Sequence, residues 1–278
     1  MQKIKMSPGK MLCGVILAVW TVVSIFPLYW MITFSFKDNN EIFNGNALSL
    51  PKVWNISNYT DALGKGNMGR YFLNSLLVTG VTIFLTVMIS LMASYAVSRM
   101  LWKGRDLLNN IFMLGLTLPI HAALLPVFLI LRDMHLLNTF SSLIIPYTAF
   151  ALSMAIMICN SFMIGIPDEL EESACMDGCG TFGIFFRIIV PLMRPAVSTL
   201  AIFTFLQAWN ELMFATVFVS DSTHRTLTVG MQSLVGTYST NWGPVGAALV
   251  VATVPTVIVY LLMSRKVQES LVAGAIKG

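Results

Sequence analysis

The chain has 278 residues, 56% of them hydrophobic and only 11% charged, with a mean hydropathy of +0.76. That balance excludes an ordinary soluble domain and makes lipid the solvent. The formal charge of +4 comes from 17 Lys and Arg scattered between apolar stretches, whereas a nucleic-acid binder gathers its cations on one exposed face among polar readers.

A helix needs about 20 apolar residues to cross a bilayer core, and six stretches qualify. They are Met11 to Phe36, Phe72 to Ser98, Leu107 to Leu131, Phe140 to Ile164, Ser198 to Val219 and Trp242 to Ser264. The expected fold is therefore an all-α membrane protein with six transmembrane helices in one domain spanning 1–278. The first stretch follows Lys3, Lys5 and Lys10 as a secretory signal would, but its apolar run exceeds the roughly 7 to 15 residues of a signal core and reads as an uncleaved span. With the N-terminus cytosolic, the inside segments carry Lys3, Lys5, Lys10, Arg99, Lys103, Arg105, Arg187, Arg194, Arg265, Lys266 and Lys277, eleven of the 17 cations. Such a bias in short loops predicts both termini in the cytosol.

The first span ends in FPLYWMITFSF, where Tyr29 and Trp30 either anchor at the headgroups or pack on a neighbour. Residues 37–69 are polar, rich in Asn and Gly, and read as an outer loop. The second span carries Ala93, Ser94, Ala96 and Ser98 near its inner end, small residues that let helix backbones approach and predict a helix buried in protein. Prolines 27, 119, 126, 146 and 255 fall inside spans. They mark either simple kinks or interrupted helices around a wet cavity. His121, between Pro119 and Pro126, is expected to bond a neighbouring helix, with a solute contact as the alternative.

Between the fourth and fifth spans, residues 165–195 form a cytoplasmic loop with five of the chain's 13 acids in ten positions: Asp168, Glu169, Glu171, Glu172 and Asp177. Asp168 and Glu171 have the spacing of a capping box. Gly178 permits the reversal that ends a first short helix. Phe182, Phe185, Phe186 and Ile189 then recur as the stripe of a second helix, which Pro191 is expected to stop. The acids and the aromatic stripe predict a docking surface for a positively charged partner, since acid is the wrong sign for an anionic inner leaflet. Cys175 and Cys179 lie i, i+4 apart with no His or third Cys to complete a metal site, so no metal is expected.

Glu211, in Trp209-Asn210-Glu211-Leu212, is the one acid within an apolar span. A charge at mid-bilayer costs at least ~2.5 kcal/mol, so it should face a cavity or a partner, or else sit near the outer headgroups or tie two helices together. Trp209, Asn210, Glu211 and His121 are the candidate pathway residues. Trp209, Trp242, Tyr147 and Phe205 are either sugar-stacking or packing aromatics. Residues 220–241 read as a polar outer loop and residues 265–278 as a cytoplasmic tail.

The loop residues Glu172, Ser173, Ala174, Gly178, Ile188 and Pro191 resemble the cytoplasmic loop of the inner-membrane permease subunits of bacterial ABC importers, with Ser173 where that family usually has Ala. NISNYTDAL, NSLLV, IPDELEESACMDG, TFLQAWNEL and the terminal AGAIKG are similar to the carbohydrate, maltose-permease-type branch. The resemblance implies the type I importer permease fold, with a coupling helix in the 165–195 loop, and a prokaryotic cytoplasmic-membrane location. It implies that Asp168, Glu169, Glu171, Glu172, Ser173, Ala174, Asp177 and Gly178 serve ATPase coupling. The partners it implies are a second permease, two ATPase subunits that hold ATP and magnesium, an external solute-binding protein and a sugar. It also implies that the 220–241 loop reaches toward the binding protein and the tail toward the ATPases.

The sequence has no G-x-x-x-x-G-K-[ST] loop, no H-E-x-x-H and no nucleophile elbow, so no catalytic site or cofactor is expected on this chain. The first functional reading is the transmembrane subunit of an ATP-driven importer of a sugar or oligosaccharide, with glycerol phosphate or a polyol as the alternative cargo. The second, from another class, is an ion-gradient-driven secondary transporter or channel, which normally needs more ionisable groups in its spans than one Glu and one His.

Overall fold

A computed structural model describes residues 8–46, 48–236 and 240–275. Lys3, Lys5 and Lys277, counted above for topology, and the end of the AGAIKG tail lie outside the described residues. Regular structure among the described residues is entirely helical. In chain order the helices are α1 (Pro8–Ser35), α2 (Asn39–Asn44), α3 (Ser57–Thr60), α4 (Met68–Ser98), α5 (Arg105–Leu114), α6 (Leu124–Asp133) and α7 (Ser141–Met163). They continue as α8 (Glu169–Met176), α9 (Thr181–Ile184), α10 (Val190–Leu192), α11 (Arg194–Trp209), α12 (Met213–Phe218), α13 (Leu227–Ser233) and α14 (Trp242–Ala275).

Four helices are long and apolar enough to cross a membrane unbroken, over Gly9–Ser35, Met68–Ser98, Ser141–Met163 and Trp242–Leu262. These match the predicted first, second, fourth and sixth spans. The third and fifth are not the continuous helices expected. Arg105–Thr117 and Ile120–Asp133 form a pair bent by 98°. Pro119 brings no N–H and pushes Leu118 into an extended conformation, ending the first half. The predicted fifth span is interrupted after Trp209, and α12 starts afresh at Met213. Of the other prolines, Pro27, Pro146 and Pro255 ride within continuous helices. Pro126 sits in the first turn of α6, where its missing N–H has no partner to lose.

Pro191 does not stop the second loop helix. The run from α9 continues through a π turn, Phe185–Ile189, into α10, then bends by 72° into α11. A widened turn directly before Pro191 relieves the clash its ring would make in a regular helix. The same turn splits the predicted aromatic stripe: Phe185 and Ile189 are buried, whereas Phe182 and Phe186 are exposed.

The described chain divides into two compact units. The first combines residues 1–69 with 230–254. Its centre is the end of α1, where Asn58 donates from Nδ2 to the carbonyls of Ser35 (2.9 Å) and Lys37 (3.0 Å). Those carbonyls follow the last turn of α1 and have no helical partner, so this side chain closes the helix. Tyr59 adds a 2.7 Å hydrogen bond between its hydroxyl and Ser35 and packs its ring on Phe36. The predicted loop 37–69 is therefore an ordered cap. Gly246 of α14 lies against it so closely that a Cβ would stand 2.5 Å from the Phe34 ring and 3.0 Å from Ser35 Cα.

The second unit, residues 70–229 with 255–278, holds the loop and the broken spans. α4 presents a buried polar stripe of Ser75, Thr79, Thr82, Thr86, Ser90 and Ser94. Ser94 donates to the carbonyl of Ile156, and Ser98 to Asn160, both on α7. The helix predicted to be buried by small residues is thus buried along that stripe, while Leu73, Phe84 and Met92 on other faces stay exposed. In lipid such contacts are gained through packing and hydrogen bonds, because the tails are as apolar as the core.

Gly246→Val forces a branched side chain into the contact with Phe34 and Ser35. Overpacking of this kind costs about 1–3 kcal/mol, and a lowered thermal midpoint of the purified protein in detergent is the expected result; an unchanged midpoint contradicts the close approach.

Candidate functional site

The acidic loop begins where α7 ends. Three of the five carboxylates fall in the first turn of α8, where they oppose the positive end of the helix dipole. The other end closes as the sequence predicts. Gly178 takes a left-handed φ of +79°, and the N–H groups of Gly178 and Cys179 bond the carbonyls of Cys175 (3.0 Å) and Ala174 (2.9 Å). That is the double hydrogen bond of a Schellman turn, and a side chain at position 178 would be strained there.

The capping box does not form. Asp168 makes no side-chain cap to α8. Arg99, one residue past α4, draws its carboxylate away into an ion pair, and Arg99 Nε lies 3.4 Å from Glu171 Oε1. The other Glu171 oxygen accepts the Tyr95 hydroxyl at 3.0 Å. Arg99 also donates from Nη2 to the carbonyls of Met163 and Ile166 at the end of α7. Its side chain is only 11% exposed. One guanidinium thus ties the end of α4 to the end of α7 and the start of α8. In the sequence Arg99 counted only toward topology; its one local signal was a lone cation abutting an apolar span.

This arrangement sorts the predicted loop residues. Glu171 faces inward with Ala174, the only buried residue of α8, while Asp168 keeps its pair and remains largely exposed. Glu169, Glu172, Ser173, Asp177 and Gly178 face out. With them stand two large apolar side chains, Met176 (88% exposed) and Phe182 (77% exposed). The outward surface is acidic with apolar projections and is braced from behind by a buried cation.

The second group of predicted residues lies at the break after α11. Glu211 Oε2 accepts the Tyr147 hydroxyl (2.6 Å) and the N–H of Ala215 (3.1 Å), and Oε1 accepts the N–H of Phe214 (2.9 Å). The carboxylate therefore caps α12 and holds it to α7, and its backbone carbonyl takes the Thr228 hydroxyl at 2.8 Å. This geometry favours the helix-tying reading of Glu211. Trp209 is buried, stacked on Phe205 and edge-on to Phe72. Asn210 is exposed and bonds the carbonyl of Leu206. His121 lies in the short turn after the Pro119 break. In place of the expected hydrogen bond it packs edge-on against Phe214, with ring centres 6.0 Å apart. The interruption at Leu118 and Pro119 and the one after Trp209 thus meet at Phe214. Of the other aromatics, Trp242 packs edge-on to Phe43, so all four of the candidate stacking rings have partners within the protein.

The predicted loop 220–241 is only partly a loop. Asn74 donates to the carbonyls of Thr223 and Arg225, both at 2.9 Å, and Ser75 accepts the N–H of Leu227 at 2.8 Å. These two residues open NSLLV. They pin the chain so that α13 follows with Leu227 and Val229 buried. Residues 237–239 lie outside the described residues. Asp221 accepts from the Thr223 hydroxyl and N–H and from His224, which lowers its pKa from 3.8 to about 2.

Glu211→Ala removes a cap and orphans the Tyr147 hydroxyl, so it should destabilise by about 1–3 kcal/mol, and Tyr147→Phe by less; thermal unfolding in detergent reads both, and equal midpoints for all three proteins would contradict the cap. At Asp221 the folded pKa is below the unfolded one, so its contribution is full above pH 3.8 and is lost as pH falls through about 2. Amide exchange at Thr223 should stay protected at pH 4 and open in Asp221→Asn at the same pH.

Residues 86–271 match the family of binding-protein-dependent transport system inner membrane components. The probable ABC transporter permease protein YurM of Bacillus subtilis is 35% identical over 97% of this chain and 89% of its own length. The diacetylchitobiose uptake system permease protein NgcG of Streptomyces coelicolor is 34% identical over 94% of this chain and 87% of its own. In fold, the chain matches a subunit of a bacterial ABC transporter that imports the acidic polysaccharide alginate, with a TM-score of 0.84 at 21% identity over 95% of this chain and 99% of that one. Such kinship sets aside the ion-gradient-driven transporter or channel and makes this chain a multi-pass, non-catalytic subunit. It belongs to the inner-membrane permeases of ABC importers, in their carbohydrate-uptake branch.

Proposed function

We propose that this chain forms half of the translocation pathway for a sugar or oligosaccharide and that α8 is the helix through which ATPase subunits drive it. The observation that carries the reading is the outward face of α8. Glu169, Glu172 and Asp177 are exposed beside Met176 and Phe182, and the helix behind them is fixed by Arg99. A braced helix transmits displacement that a loose loop would absorb. Its acidic face suits a cleft with positive charge, and its apolar projections suit the pockets of a protein partner.

The assembly is a second permease, most simply a different chain, with two ATPase subunits that hold ATP and magnesium and an external binding protein. Both termini are cytosolic, the chain is a single permease domain over 1–278, and the tail from 265 faces the ATPases. The 220–241 segment faces the binding protein. The sugar assignment rests on relatives such as the diacetylchitobiose permease; glycerol phosphate or a polyol is the alternative cargo. In the pathway, exposed Asn210 and His121 are the contact candidates, while buried Trp209 and hydrogen-bonded Glu211 shape the walls.

Glu172→Lys reverses a charge at the heart of the proposed contact. Co-purification in mild detergent should then retain at least about 10-fold less ATPase subunit than wild type. Full retention, with solute-stimulated hydrolysis intact over a panel of disaccharides, chitobiose derivatives and glycerol phosphates, would overturn the docking reading. Stimulation by glycerol phosphate alone would overturn the sugar.

A further inference from the structure

α4 is clamped by polar contacts at both of its ends. At the loop end, Arg99 and Tyr95 hold Asp168 and Glu171 of the acidic hairpin. At the other end, Asn74 holds the carbonyls of Thr223 and Arg225, and Ser75 holds the N–H of Leu227. Between Asn74 and Arg99 the helix rises 1.5 Å per residue, about 38 Å, enough to traverse the hydrocarbon core. It contains no proline and no break over that length. Its neighbours in the chain are less direct. The path from α8 through α9 to α11 passes a π turn, a 72° bend and the interruption after Trp209. Bends and π turns are where a helix gives way.

From these contacts we infer that α4 is the rod by which movement of α8 reaches the 220–227 segment, with Arg99 and Asn74 as the positioning residues at its two ends. The inference rests on the proposed docking of α8. The clamps suit the task. α8 buries a single residue, Ala174, so the guanidinium and Tyr95 supply most of its polar attachment. Arg99 is suited to that post because its planar fork bonds several acceptors at once, two carbonyls and two carboxylates here. At the far end the Asn74 amide donates both N–H groups to backbone carbonyls, so displacement of the helix displaces the segment itself. A physical link between two sites is established by coupling between them, and a serial link has a particular signature. Cutting it at either end has the full effect, and cutting it at both adds nothing.

The test uses the full importer complex in nanodiscs with a nitroxide at position 222, introduced as Ser222→Cys in a background whose four native cysteines are replaced. Trapping with ATP and vanadate drives the assembly from the ATPase side without any solute. The change in the nitroxide spectrum is expressed per trapped nucleotide. Arg99→Ala and Asn74→Ala should each reduce that change about 10-fold, in the range of ordinary coupling energies, and the double variant should equal either single. If Arg99→Ala prevents assembly, Arg99→Gln replaces it, keeping N–H donors for the carbonyls and losing the charge. A spectral change within about 2-fold of wild type in either single variant overturns the rod, as does a double variant whose loss is the product of the two singles. Failure of docking is told apart by Glu172→Lys: if that complex keeps its ATPases, the docking reading falls, whatever the nitroxide reports.

Discussion

A single, largely buried guanidinium organises the acidic-loop end of this protein. Taking a charge out of water costs several kcal/mol, and only full pairing offsets it. Arg99 has such partners: the carbonyls of Met163, the last residue of α7, and of Ile166 just beyond it, and ion pairs with the carboxylates of Asp168 and Glu171. Each partner needs the cation as much as the cation needs them. The Met163 carbonyl gains a charged donor beside the Ile166 N–H, and half-buried Glu171 gains a counter-charge next to Tyr95 and Ala174 of the apolar cluster. The exposed acids of α8 can then be spent on a partner, because the inward acids have already been used to fix the helix.

Sequence reading reached the architecture where composition alone decides it. Four long apolar runs became four long helices, three of them within a few residues of both expected ends and α14 continuing past Ser264 to Ala275, since in lipid the backbone must satisfy itself and a helix is the solution. Gly178 was legible for a similar reason: the left-handed turn needs that residue type at that place. Pro119 signalled its break, and Pro27, Pro146 and Pro255 gave the same signal without breaking anything. The difference lies in neighbours: the backbone at Leu118 is extended and flanked by 3-10 turns, whereas the other three prolines have intact helix on both sides.

What escaped the sequence was pairing. The spacing of Asp168 and Glu171 fits a capping box and equally fits a pair of acids reaching for one cation, and the cation sits on a different helix. Local spacing cannot choose between a backbone N–H nearby and a guanidinium brought in by tertiary structure; the stronger, charge-assisted partner wins. Asn74 and Ser75 were visible only as part of a familiar string, and their task, pinning 223–227, needs the far segment in place. Glu211 was recognised as costly in a span, but not as the reason the span stops: its two oxygens are what let α12 begin.

That last point bears on where solute could pass. Interrupted helices in a membrane leave N–H and carbonyl groups exposed, and they persist only where protein or a wet cavity satisfies them. Here the third and fifth spans are both interrupted, and the interruptions converge: His121, just past one, packs on Phe214, whose N–H is capped by Glu211 at the other. Two unrelated packing accidents have no reason to share a residue. At one of them Glu211 takes the Tyr147 hydroxyl and the N–H groups of Phe214 and Ala215, and His121 reaches the same place through the Phe214 ring. Under the proposed function this is where the pathway would run, since such paths are repeatedly built from discontinuous helices, and His121 and Asn210 are the exposed side chains beside the two interruptions.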